Sequence, residues 1–203
     1  MPPKTPKFHI RPALPTPSDI AFIASAFDST LPYLSTIGSG AQWGAIPFST
    51  RSGFNDETLL SLEQSESFRQ TDKFEGEDGA VRVFIAEAET ETDGPGVSRG
   101  GDDDDDVEGG EGSGKGRLPV GMITVREDFF AEFLRNQEVL QQEICRAKDF
   151  VYLEVLVTDY SAKEKRNGAG AALIEHVKEY ARERGKGAVY VDCWGGNDEG
   201  LTR

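Results

Sequence analysis

The residues of this chain with the clearest chemical use are grouped in one stretch, Lys163-Glu164-Lys165-Arg166-Asn167-Gly168-Ala169-Gly170. It lies between an apolar run, Phe150 to Thr158, and a segment in which Leu173, Ile174, Val177, Tyr180 and Ala181 recur at helical spacing. A strand, a basic glycine-containing turn and a helix start, in that order, make an anion cradle. The first N–H groups of a helix lack intrahelical partners and the macrodipole is positive there, so main chain alone can hold a pyrophosphate. Gly168 and Gly170 let the backbone approach the phosphates, and Lys163, Lys165 and Arg166 add positive charge. A GxG after a basic run is by itself more often an ordinary turn. The strand before it and the helix after it single this one out. Neither GxxxxGK[ST] nor GxGxxG occurs, which disfavours a mononucleotide site.

Glu154 is the other residue with a use. It interrupts the apolar run Phe150 to Thr158, and a carboxylate there can take a proton directly or through water. It can equally face a solvated edge or pair with a cation, and the sequence leaves both roles open. His176 precedes Val177 on the helix and is expected at the surface; His9 alternates with Phe8 and Ile10 and is expected to be solvated. Cys145 and Cys193 have neither CxxC spacing nor neighbouring histidines, so no metal site and no disulfide framework is indicated.

The elements that must position these residues can be read along the chain. Lys7 to Ala13 alternates apolar and polar positions, and Ser18 can cap a helix through Ile20, Ile23, Phe27, Leu31 and Leu34. Residues 35–55 form a loop in which Trp43 and Phe48, with Tyr33, either line a pocket or anchor the loop. A second helix runs from Asp56 to about Gln70. Val81 to Ala88 and Pro119 to Val125 read as neighbouring strands. Phe129 to Ala147 carries apolar residues on a broad face and reads as a helix, though Asn136 and Gln137 interrupt it. Phe150 to Thr158 is a strand covered on both faces. The helix after the turn ends at Gly185, and Ala188 to Trp194 is a last strand in which Tyr190, Cys193 and Trp194 pack into the sheet.

Lys165-Arg166-Asn167-Gly168-Ala169-Gly170 resembles the cofactor signature (Gln/Arg)-x-x-Gly-x-(Gly/Ala) of the GNAT N-acetyltransferases. Lysine at the first place keeps the charge but loses the planar fork. The likeness extends to the strand before, the helix after, and the following AVYVDCWGGN, whose Asn197 stands where many members have asparagine. The order of elements upstream also follows the family, although only residues 151–197 carry specific motifs.

The resemblance implies an α/β, three-layer domain with a mixed, mostly antiparallel twisted sheet, in which the strands at 151–158 and 188–194 run parallel and splay apart. It implies acetyl-CoA as cosubstrate, held by Lys165, Arg166, Asn167, Gly168, Ala169, Gly170, Ala171 and Asn197. It further implies direct attack by the amine of a small-molecule or peptide acceptor, with no metal or covalent intermediate. Glu154, eleven residues before Lys165, resembles in position the general base of the histone acetyltransferase branch. Family members continue with a further helix and two strands. Residues 1–203 are therefore expected to form a single but C-terminally incomplete domain, with a sheet edge that a second copy of the chain can complete as a homo-oligomer.

Composition sets the remaining bounds. Of the formal charge of −14, about −10 falls between Glu87 and Glu111, where eleven acidic residues face Arg99 alone. Residues 90–117 are low-complexity Gly, Asp and Glu, and are expected to be a disordered acidic insert. No basic stripe supports direct nucleic-acid binding. No apolar run reaches the roughly 20 residues that span a bilayer, and no secretory signal is visible, so the cytoplasm or nucleus is expected. Two other readings stay open: a module that binds an acyl-CoA without turnover, and an interaction protein that docks basic partners through the acidic insert.

Overall fold

The computed structural model describes residues 8–74, 76, 78–90 and 116–193. Strand β1, Phe8–Pro12, is short because proline has no N–H with which to continue the ladder. The chain makes one further bond, from Ala13 N–H to the Val83 carbonyl at 2.9 Å, and then enters helix α1, Pro17–Thr36. The cap is Thr16 and not Ser18. Its hydroxyl accepts from the Asp19 N–H, and Pro17, whose φ is already helical, fits the first position of the helix. Arg11 ties this corner together, donating to Asp19 at 2.7 and 2.8 Å and to Glu87 at 2.6 Å. Burial alone would raise the pKa of Asp19, but Arg11 and the Leu14 N–H bond its charged form and hold it below the usual carboxylate range.

Helix α2, Phe54–Thr71, starts after Gly53 in the left-handed region and ends at Asp72, also left-handed. Strand β2, Val81–Thr90, and strand β3, Gly116–Glu127, pair antiparallel out to Thr90 and Gly116. The ends of the expected insert are therefore ladder residues, and 91–115 lie outside the described residues. Strand β4, Phe150–Thr158, pairs antiparallel with β3, and two short helices, α3 (Glu132–Arg135) and α4 (Gln141–Arg146), precede it. These two correct the single helix expected over 129–147. The Asn136 N–H closes the first piece onto the Glu132 carbonyl, and Phe133 and Val139 point to solvent, 55% and 87% exposed, so no continuous apolar face exists to hold one helix.

Helix α5, Ala169–Glu183, leads to β5, Ala188–Val191, which pairs parallel with β4. The sheet order is β1-β2-β3-β4-β5, antiparallel except for the last pair. Its strands alternate between two cores. On one face Leu173, Val177, Tyr180 and Ala181 of α5 pack on Phe84, Ile123 and Val125. On the other, Ile23 and Phe27 of α1 and Leu62 of α2 pack on Val83, Ile85 and Met122. Truncating Leu62, which is fully buried, to alanine would cost about 2–5 kcal/mol. The architecture is thus the expected three-layer α/β domain with a mixed, mostly antiparallel sheet. No described helix is long and apolar enough to cross a membrane.

Candidate functional site

The site is built on β4. Its pairing with β5 runs from Phe150 opposite Ala188 to Leu153 opposite Val191 and stops there, while β4 continues to Thr158. From Glu154 onward no β5 residue faces it. A crevice at the C-terminal end of parallel strands is where open α/β sheets bind ligands. Tyr152 marks the point of departure, since its hydroxyl bonds Asp192 just after the last residue of β5. Burial, the bond to Asp192 and the nearby charges of Asp192 and Glu154 all push the Tyr152 hydroxyl pKa up, so it remains a donor.

Opposite, the β3 ladder carries an extra residue. Val125 pairs with Leu153 and Thr124 with Val155, which leaves Glu154 as the additional residue of a β-bulge. The bulge reverses the alternation. Val151 and Leu153 face α5, whereas after it Leu156 faces α5 and Val155 and Val157 face α1 and α2. Bulges beside active sites re-aim a side chain in this way. Glu154 is exposed, and its Oε2 accepts from Arg126 Nε at 2.9 Å. It is not a buried carboxylate. Glu154, Arg126 and Glu57 line a cleft of about 190 Å³ between α1, α2 and the sheet.

Beyond Thr158, tight 3-10 turns over Tyr160–Arg166 lead to Gly168, whose φ of +92° only glycine adopts without strain. No side chain caps α5, so the N–H groups of Ala169, Gly170 and Ala171 keep the open valence of a helix start. The Asn167 N–H, by contrast, bonds the Glu164 carbonyl at 3.1 Å. The two glycines differ in use. A Cβ on Gly170 would lie 3.5 Å from Leu156 Cδ2 and 3.8 Å from Thr158 Cγ2, ordinary contact distances, so only Gly168 is required by its backbone conformation.

The basic residues also divide. Lys163 and Lys165 are exposed, whereas the Arg166 guanidinium lies 3.7 Å over the Tyr160 ring, with Nη1 3.5 Å from the Thr158 hydroxyl and Nε buried with no hydrogen-bond partner among the described residues. Tyr33 stacks on Tyr160 at 4.6 Å. This ladder was hidden in the sequence because Tyr33 and Tyr160 lie on elements far apart in the chain. Tyr33 therefore does not join Trp43 and Phe48, which pack with Phe27 and Phe54 as a loop anchor, fixed further by the Phe48 N–H bonded to Asp28.

The remaining candidates are placed as follows. His9 is exposed as expected, but His176 is half-buried against the Phe84 ring, 4.6 Å away. Tyr190 is partly buried against Phe130 and Phe150. Cys193 is exposed and not in the sheet, because β5 ends at Val191. Trp194 and Asn197 lie outside the described residues. Among the described residues no group of acidic, histidine and cysteine side chains is arranged to hold a metal.

No protein-family model matches the chain, and no curated protein is similar to it. Among solved structures, a proposed acetyl transferase from Pyrococcus furiosus shares 14% identity over 93% of this chain and 83% of its own, with a TM-score of 0.40.

Proposed function

We propose that the chain transfers an acetyl group from acetyl-CoA to an amine, as a GNAT-type N-acetyltransferase. One observation carries this reading. The β4–β5 ladder ends at Leu153 and Val191, and among the described residues β4 runs on toward an uncapped helix start with β3 on one edge and nothing on the other, so an extended amide chain can pair with the open edge while a pyrophosphate meets the N–H groups. The residues fit such a ligand. Ala169, Gly170 and Ala171 offer donors, Lys163 and Lys165 offer free charge, and Arg166 stands at the end of β4. Glu154 and Thr158 are separated by about 13 Å along the strand at roughly 3.3 Å per residue, which sets apart an acyl end and a phosphate end. Asn197 is carried in this proposal by the motif alone.

In the reaction the amine nitrogen bonds the acetyl carbon, the carbon–sulfur bond breaks, and the sulfur leaves as a thiolate that takes up a proton. The proton lost by nitrogen passes to Glu154 or to water. Glu154 is aimed at the cleft by the bulge, and among the described residues nothing bonds its Oε1, so one oxygen can accept while Arg126 fixes the other. Holding amine and thioester in place supplies the larger part of the rate.

The Arg126 pair also favours a second reading, a module that binds acyl-CoA with its one carboxylate engaged and no turnover. Thiol release across amines, polyamines, amino acids and peptide N-termini separates the two. Acetyl-CoA-dependent release with at least one amine is expected; binding without release on every acceptor would leave the module.

A further inference from the structure

The cleft beside Glu154 has a composition that selects its occupant. Its walls are mostly apolar, from Ile23 and Phe27 of α1, Phe54 of α2, and Met122 and Val155 of the sheet, with the hydroxyls of Thr58, Ser61 and Thr124 among them. Three charged side chains line it: Glu57, Glu154 and Arg126. Arg126 is engaged away from Glu57, since its Nε bonds Glu154 at 2.9 Å and its Nη1 bonds the Asp78 carbonyl at 3.1 Å. Glu57 has no hydrogen-bond or ion-pair partner among the described side chains, and the cleft is left with a net charge of −1.

A first-turn acid is ordinarily explained by the helix dipole, which favours negative charge at a helix start. Asp56 on the same turn of α2 already serves that purpose without lining the cleft. The Glu57 carboxylate folds back toward the loop, with Oε1 3.7 Å from the place that a Cβ on Gly53 would take. An unpaired anion at the mouth of a mostly apolar cleft repels carboxylates and offers a neutral ligand one hydrogen bond, but it gives an ammonium both a hydrogen bond and a neutralising charge. Phe27 and Phe54 add aromatic faces, which also favour cations.

We infer that the cleft binds a small primary ammonium carrying an apolar body, with Glu57 as the residue that selects the cation. The volume of about 190 Å³ equals about six water-sized units at roughly 30 Å³ each, the scale of a short arylalkyl amine. The inference rests on the acetyl-transfer reading only for what becomes of the amine: once its proton is lost beside Glu154, the nitrogen faces the open end of β4.

The test is direct binding to the full chain, followed by calorimetry and by amide shifts, without acetyl-CoA. The probes are phenethylammonium, its neutral isostere 2-phenylethanol, the anion 3-phenylpropanoate, and the tripeptide Gly-Lys-Gly. The amine is expected to bind at least tenfold more tightly than the other three, with the largest shifts at residues 54–62 and 122–126. Glu57→Gln, a substitution at an exposed position, is expected to bring the amine within threefold of the alcohol. Equal binding of alcohol or carboxylate, no binding of any probe, or an unchanged Kd in Glu57→Gln would overturn the assignment. Tighter binding of the tripeptide would overturn the small-amine source. A separate acetyl-CoA titration judges the transfer reading: if it fails while the amine result holds, the cleft stands and the transfer reading falls.

Discussion

The third residue of α5 separates the helix start as a structural device from the helix start as an anion site. Ala171 is exposed, its N–H has no intrahelical acceptor, and no side chain caps the helix. Ala171→Glu puts a carboxylate where the macrodipole favours it, which should stabilise the fold by about 0.3–1 kcal/mol. For a domain of this size that raises Tm by about 1–4 °C, at about 2–4 °C per kcal/mol. The same carboxylate would stand beside the proposed pyrophosphate. At about 7 Å, and with an effective dielectric between about 20 and 80, a unit charge and a doubly charged group repel by roughly 1–5 kcal/mol before salt screening. Acetyl-CoA affinity should fall at least tenfold at low salt. Ala171→Lys should do the opposite on both counts, lowering Tm slightly and keeping or improving affinity. Differential scanning calorimetry and isothermal titration on the three proteins read both quantities. If Ala171→Glu binds acetyl-CoA as well as the parent chain, the phosphate is not at this helix start.

Gly168→Ala should cost about 1–2 kcal/mol, because alanine is strained at φ +92° although a Cβ there has room 3.5 Å from Phe8; an unchanged urea midpoint would contradict the conformation. Glu154→Gln should lower the rate of thiol release while leaving the acetyl-CoA Kd within about twofold, and equal rates would assign the proton to water. Burial, aided by the charge of Arg82 and opposed by Glu179 and Glu183, pushes the pKa of His176 below its ordinary 6.5. The unfolded chain then binds a proton that the fold refuses, so stability is retained above about pH 6.5 and declines below it. Urea midpoints at pH 7.5 and 5.5 should separate more for the parent chain than for His176→Gln; equal separations would show that His176 titrates alike in both states.

The sequence was informative where one element holds its own signal. The apolar run Phe150 to Thr158 and the helical spacing from Leu173 to Ala181 appear as β4 and α5, with Gly168 just before the first residue of α5. What was not legible depends on partners remote in the chain. The bulge at Glu154 exists only in the register of β4 against β3, and Glu154 meets Arg126, 28 residues away. Arg166 looked like free charge for a ligand because its basic neighbours are free, yet Tyr160 holds its guanidinium. The apolar residues of 129–147 suggested one helix because their targets were unseen: Phe130 packs on Phe150, Tyr152 and Tyr190, while Phe133 and Val139 stay largely exposed. Glu57 carried no signal beyond a first-turn acid, since its importance comes from Arg126 being engaged elsewhere.

The central claim is that the main chain at the start of α5 receives the pyrophosphate of acetyl-CoA. Titrating acetyl-CoA into the 15N-labelled full chain and following the backbone amides tests it most directly. The account predicts saturable downfield shifts, the largest at Ala169, Gly170 and Ala171, with smaller changes along 154–158, where the pairing of β4 with β5 has ended. Saturable binding that leaves those three amides unmoved, or no binding at millimolar acetyl-CoA, would contradict it.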